Sequence, residues 1–274
     1  MKKFLCVFLF VCLFASMASA ASHRVGIIAK LSLSQEEFQA FAEKRMIAGE
    51  TKIFSASQQD YPMFIFFDTF NAMQMALDAG NIDEIMLPEE VAEYVMNVSG
   101  NYKVACVVRS TPITFNFGFR EKDDPAMKNK FNEAIISMKA DGTLSILVDK
   151  YISYPGLDEP ESVKFEHYDN VDKVIKVAVT GDLPPIDFIK ADGTPAGFNT
   201  AVLAEIGKRL KINIELVNID SGARAASLAS GRSDVVFWFE SYKDLDGTQP
   251  DIPEGIALSE SYYQWSEFLH ITKK

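Results

Sequence analysis

Ile175-Lys176-Val177-Ala178-Val179-Thr180-Gly181-Asp182-Leu183-Pro184-Pro185 is a strand that runs into a turn. Downstream, Phe188 to Phe198 has the form of a hairpin turning at Asp192-Gly193, followed by a helix over Thr200 to Leu210. Val202, Leu203, Ile206 and Leu210 recur at three- and four-residue spacing along that helix, which marks one buried side. Ile212 to Ile219 is a second strand, Gly222 to Ala229 a second helix stopped by Gly231, and Ser233 to Phe239 a third, buried strand. Strands that alternate with helices predict a parallel sheet with both faces covered. Trp265 to Thr272 is one more strand at the end of the chain.

The chain ahead of this unit repeats the alternation. Arg24 to Ala29 is a short strand, and Ser34 with Glu37 three residues on forms a capping box for a helix ending near Met46. Met63 to Phe67 suits a buried strand, and Asn71 to Ala79 is a helix ended by Gly80. Glu84 to Leu87 is a strand; Pro88 opens the next helix, where its missing N–H costs nothing. Tyr102 to Val108 and Ile113 to Phe119 are read as two strands. Asp124 caps a helix from Pro125 to about Ala140, whose buried side is Phe131, Ala134, Ile135 and Met138. After Asp141-Gly142-Thr143, a short helix spans Leu144 to Tyr151. Residues 153–172 are acidic, contain Pro155, Gly156 and Pro160, lack an apolar period, and read as a linker.

The first twenty residues have the form of an export signal. Lys2 and Lys3 precede an apolar run from Phe4 to Phe14, and Ala18-Ser19-Ala20 is a small-x-small cleavage pattern. A retained anchor is the alternative. Cleavage would remove Cys6 and Cys12, leaving Cys106 in an apolar run as a buried packing residue with no disulfide partner. The formal charge of -11 becomes -13 without the two lysines. Such a surface repels nucleic acid and anionic lipid. His23, His167 and His270 are scattered, with solvated or incidental roles as the default. No zinc spacing, phosphate loop, cofactor motif or paired catalytic arrangement is present in the sequence.

From Val174 on, the Pro-Pro turn, Asp192-Gly193-Thr194-Pro195-Ala196-Gly197-Phe198-Asn199, and Leu228-Ala229-Ser230-Gly231-Arg232-Ser233-Asp234-Val235-Val236-Phe237 resemble the first lobe of the amino-acid-type (family 3) bacterial extracellular solute-binding proteins. Asn199 departs, replacing the usual acid. The front of the chain is similar to that family's second lobe, through Val25-Gly26-Ile27-Ile28, Ala76 to Asp83, and Phe131 to Tyr151 with its Lys139-Ala140-Asp141-Gly142-Thr143-Leu144. The resemblance implies a two-lobed type II periplasmic binding fold written as a circular permutation. Residues 21–109 would be the second lobe and 110–274 the first, with the linker 153–172 inside it. One covalent crossing would lie near Arg109–Thr114 and one paired crossing at the last strand. Two partial copies of a tandem protein are the alternative.

By the same resemblance, a ligand is expected to be clamped between the lobes by hinge closure. The family's carboxylate-gripping Arg falls at Asp246, one of its hydroxyls survives as Ser241, and Phe239 replaces another. Pro88 stands where an ammonium-holding Asp is usual, and Leu183 where an aromatic platform is usual. Ser221-Gly222-Ala223-Arg224 fits the Ser-x-x-Arg of acidic-ligand binders, so Arg224 is a candidate for an anionic group; a surface arginine is the alternative. Trp238 or Phe239 is a candidate pocket wall or core residue, and Glu240 a candidate for a ligand cation or a solvated acid. Ser32 and Ser34 offer hydroxyls, though capping accounts for Ser34. Lys30 reads as a surface charge. The implied role is a monomeric periplasmic receptor that delivers a small polar or anionic solute to an ABC permease of the inner membrane. No cofactor or metal is expected. A sensing or partner-binding module of the same fold is the alternative, and a lyase or dehydratase a lesser one.

Overall fold

A computed structural model describes residues 23–55, 61–123, 125–153, 159–169, 171, 173–241 and 243–274. Residues 1–20, read above as an export signal, Asp124, read as a cap, and residues 154–158, 170 and 172 of the expected linker lie outside these. So do the side chains of Trp238, Phe239 and Glu240.

The first part runs β1 (Arg24–Ile28), α1 (Gln35–Ile47), β2 (Lys52–Ser55), β3 (Met63–Phe67), α2 (Phe70–Asp78), β4 (Glu84–Pro88), α3 (Glu89–Ser99) and β5 (Tyr102–Arg120). The second runs α4 (Ala126–Ala140), α5 (Thr143–Val148), β6 (Val174–Val179), β7 (Asp182–Leu183), β8 (Asp187–Ile189), β9 (Pro195–Ala196), α6 (Phe198–Leu210), β10 (Asn213–Asn218), α7 (Arg224–Ala229), β11 (Val235–Ser241), β12 (Ile256–Leu258) and β13 (Tyr263–Lys273). The fold is mixed α/β, with parallel strands and flanking helices in each half.

Each half carries the expected parallel core. β1 pairs in parallel with β3 and β4, and β6 with β10 and β11. The halves are not separate sheets, however. One sheet of order β10-β6-β11-β5-β13-β4-β1-β3 passes through both, with β2 and β12 also on β5. β5 and β13 run antiparallel from Tyr102↔Lys273 to Phe115↔Tyr263 and carry the sheet from one half to the other.

The two strands read for 102–108 and 113–119 are one, β5. Pro112 offers no N–H, and the ladder opposite it shifts register between Trp265 and Glu267. An irregularity of this kind lets a proline sit inside a strand. β2 and β12 went unread because short edge strands have no period of their own; pairing with β5 creates them.

Local chemistry sets most boundaries as expected. Ser34 and Glu37 form the capping box of α1, Thr69 Oγ1 accepts from Ala72 N–H to start α2, and Gly100 ends α3 with φ 66°. The helix expected from Thr200 begins two residues earlier. Gly197 (φ +89°) turns the chain so that Phe198 and Asn199 donate to the Pro185 and Ile186 carbonyls, satisfying first-turn donors without a side-chain cap. A Cβ on Gly197 would meet Pro185 O at 2.7 Å.

The chain's two described ends meet. Val25 is in register with Glu84, Arg24 bonds Asp83, and Thr272 Oγ1 donates to Asp83 O at 2.9 Å.

Candidate functional site between the halves

The carboxyl ends of β1 and β3 face those of β6 and β10, the position where open α/β sheets bind ligands. The two sets of ends touch. Ser221 N–H donates to Asp68 O at 3.1 Å, and Phe70 N–H to Asp182 Oδ2 at 2.6 Å. A Cβ on Gly222 would sit 2.8 Å from Asp68 Oδ1, so the glycine permits this approach.

Arg224 lies in this seam, not on the surface. It is 5% exposed; Nε donates to Ser221 O at 2.9 Å and an Nη to Ala29 O of the other half at 3.1 Å. Asp187 lies within its field and is fully buried, its Oδ2 accepting from Thr180 N–H and Oγ1. Burial raises the Asp187 carboxyl, and the hydrogen bonds and Arg224 only partly offset this. Burial likewise raises Asp182 to about 6, aided by the charge of Asp187 and opposed by the Phe70 N–H. An open space of about 280 Å³ adjoins Asp182, bounded by Phe70, Asn71, Gln74 and Gly181.

A second closure comes from residues 243–252, which follow β11 and reach back to the first half. Asp251 is 2% exposed, and its Oδ1 accepts from the N–H groups of Leu31, Ser32 and Leu33 at 2.9, 2.8 and 3.1 Å. These donors stand just ahead of α1, where the helix end adds positive potential. Lys44 Nζ bonds Asp244 at 2.7 Å. Arg45, 4% exposed, holds Lys243 O and Thr111 Oγ1, both at 2.6 Å. Beside this strap an open polar groove of about 820 Å³ is lined in part by Thr114, Asn116, Ser241, Lys243 and Gln249.

The remaining sequence candidates are divided between the seam, the strap and the core. Ser221 is buried at the seam with Arg224. Ser32 is exposed and contributes its N–H to Asp251. Ser241 is buried, its hydroxyl bonded by Gln249. Leu183 is 1% exposed and belongs to the core. Pro88 is buried as the N-cap of α3, opposite Phe268. Backbone pairing puts Phe239 and Glu240 opposite Asn116 and Phe115. Asn199 is buried and accepts from Tyr262 O–H at 3.0 Å. Lys30 Nζ stands 5.2 Å from the Phe38 ring centre, at an apolar cavity of about 80 Å³.

Sequence reasoning passed over Asp182, Asp187, Asp251 and Arg45. The contacts that distinguish Arg45 and Asp251 join residues about 200 apart in the chain. It also misread two histidines. His270 is 2% exposed, its Nδ1 2.8 Å from Glu84 Oε2, and His23 Nε2 is 3.0 Å from Glu84 Oε1. Burial alone would raise Glu84, yet the two imidazoles outweigh it and hold the carboxyl below its usual range.

Residues 175–242 match the family model of bacterial extracellular solute-binding proteins, family 3. That match lies wholly in the second half of the chain and covers 68 of its 274 residues. No curated protein matches the chain. Among solved structures, the chain is similar to the ligand-binding component of an ABC-type import system from Staphylococcus aureus with zinc bound (10% identity, TM-score 0.43, 91% of this chain and 65% of that one). It is similar also to the binding protein AgaA of A. tumefaciens R10 in complex with agropinic acid (12%, 0.40, 79% and 56%). A third is the VFT2 domain of BvgS from Bordetella pertussis (12%, 0.41, 94% and 82%). The chain thus spans less than two thirds of the length of the first two.

Proposed function

We propose that this chain is an exported solute receptor in which two lobes, written in permuted order, close on a small polar solute and present it to an ABC permease. The observation that carries the reading is the seam itself: facing strand ends on one sheet, closed by hydrogen bonds that a few charged side chains accept or donate. Such contacts exchange with water or solute at small net cost, since a typical intramolecular hydrogen bond contributes about 1 kcal/mol.

The chemistry of the seam favours a zwitterionic, amino-acid-like solute. A carboxylate would take the place of Asp251 on the Leu31–Leu33 N–H groups or meet Arg224 once it leaves Ala29. An ammonium would meet Asp182 or Asp187. The permuted order rests on the proximity of Arg24 and Thr272 at Asp83 and on a family 3 segment that begins at residue 175. The strap 243–252 would have to lift for entry, a hinge-type opening about β5 and β13.

A thermal-shift screen of amino acids, peptides and small carboxylates tests this. A solute at about a hundred times its Kd should stabilise the fold by about 2.7 kcal/mol. Arg224→Ala should remove the shift for a solute carrying a carboxylate. An unchanged shift would take Arg224 out of the site, and no shift with any solute class would remove the receptor reading.

A further inference from the structure

We propose that Glu84, Cys106 and His270 bind one borderline divalent cation of the zinc type, where β5, β13 and β4 lie side by side. A carboxylate oxygen, a thiol sulfur and an imidazole nitrogen from these residues all lie within 4.8 Å of one another. Sheet register produces the cluster. His270 on β13 is directly opposite Cys106 on β5 and Met86 on β4, and Glu84 is two residues from Met86. Residues two apart on a strand share a face, so three strands aim their side chains to one side.

The chemistry fits a cation. Sulfur, nitrogen and carboxylate oxygen are the donors zinc takes. On binding, the Cys106 thiol would release its proton, and thiolate and carboxylate would then carry two negative charges, which a dication neutralises inside a buried site. All three residues are 7% exposed or less. His270 Nε2 is buried and has no hydrogen-bond partner among the described residues, while Nδ1 is oriented by Glu84. Buried polar atoms without a partner call for an explanation, an unplaced ion among them. Carboxylate–imidazole pairs orient rings around metals. Three donors leave one tetrahedral position, and His23 Nε2, also buried, stands 3.0 Å from the other Glu84 oxygen. The cation would join the residue before β1 to β4, β5 and β13, and so fasten the chain's ends to the sheet that links the halves. This site is separate from the seam and does not depend on solute binding.

The test is cobalt(II) titration of the reduced, chelator-treated full chain. One equivalent should produce a thiolate-to-cobalt charge-transfer band that zinc(II) abolishes, and zinc alone should raise the Tm. Cys106→Ser, made beside the parent on a Cys6→Ser, Cys12→Ser background so that Cys106 is the sole thiol tested, should lose the band and most of the Tm rise. His270→Gln keeps the thiol and should weaken cobalt binding by about 100-fold or more, beyond what outer-shell partners are worth. A parent protein with a free Cys106 thiol and no band overturns the site. So does a band of undiminished strength in Cys106→Ser, or undiminished affinity in His270→Gln.

Discussion

Along β5 and β13 the halves are joined by backbone pairing that shifts register at Pro112 and by packed apolar side chains; Phe115 and Trp265 lie 3.9 Å apart between ring centres, and Phe268, Leu269 and Ile271 are buried beside them. At the facing strand ends and the strap they touch through hydrogen bonds that Asp182 and Asp251 accept and Arg224 donates. The buried part of the first surface is largely apolar, so separating it costs the loss of its packing. The second consists of groups that water or a solute can satisfy. On the proposed reading, the polar seam would open and the apolar crossing would bend.

Four substitutions would sharpen or break that contrast. The largest effect is expected at the crossing: Phe115→Ala removes a ring that is 1% exposed and should cost about 3–5 kcal/mol in denaturant unfolding. At the strap, Asp251→Ala leaves three N–H groups without their acceptor and should cost about 2–3 kcal/mol. Unlike Phe115→Ala, it should also enlarge the radius of gyration measured by small-angle X-ray scattering while the protein stays folded. If both variants merely unfold together, the seam and the crossing are one cooperative surface.

Asp182 gives a smaller, pH-dependent effect. Its folded pKa of about 6 lies above its unfolded value, so its contribution is fully present below about pH 4 and is lost as pH rises through 6. Stability should fall by about 2 kcal/mol across that window, and Asp182→Asn should flatten the fall and be the more stable protein at pH 7. A stability–pH profile unchanged by the substitution would contradict the burial argument. The smallest effect belongs to a region that is neither crossing nor seam: Ser34→Ala at the α1 cap should cost about 1 kcal/mol and leave the scattering profile unchanged.

The elements were legible where local chemistry decides them. The capping box at Ser34 and Glu37, the apolar positions of α4 and α6, and the strand 174–179 were legible; the apolar run 63–67 is a strand as expected but an edge one, with Phe64 alone buried, because the sheet ends at β3. Arg224 was singled out from its Ser-x-x-Arg context, although its partner Ala29 O comes from 195 residues away. Asp251, Arg45 and the Glu84–His270 pair carry no such context. Their meaning depends on which backbone or side chain the fold brings to them, and no spacing along the chain encodes it.

The amino-acid order by itself determined two alternating strand–helix units and the type of nearly every long element, because hydrophobic period, caps and glycine stops act within a few residues. Only the tertiary structure decided that β5 is one strand through Pro112, that a single sheet unites the halves, and that charged groups close the seam between them. Those outcomes depend on pairing and burial between segments as much as 220 residues apart. Such contacts leave no mark on either segment taken alone.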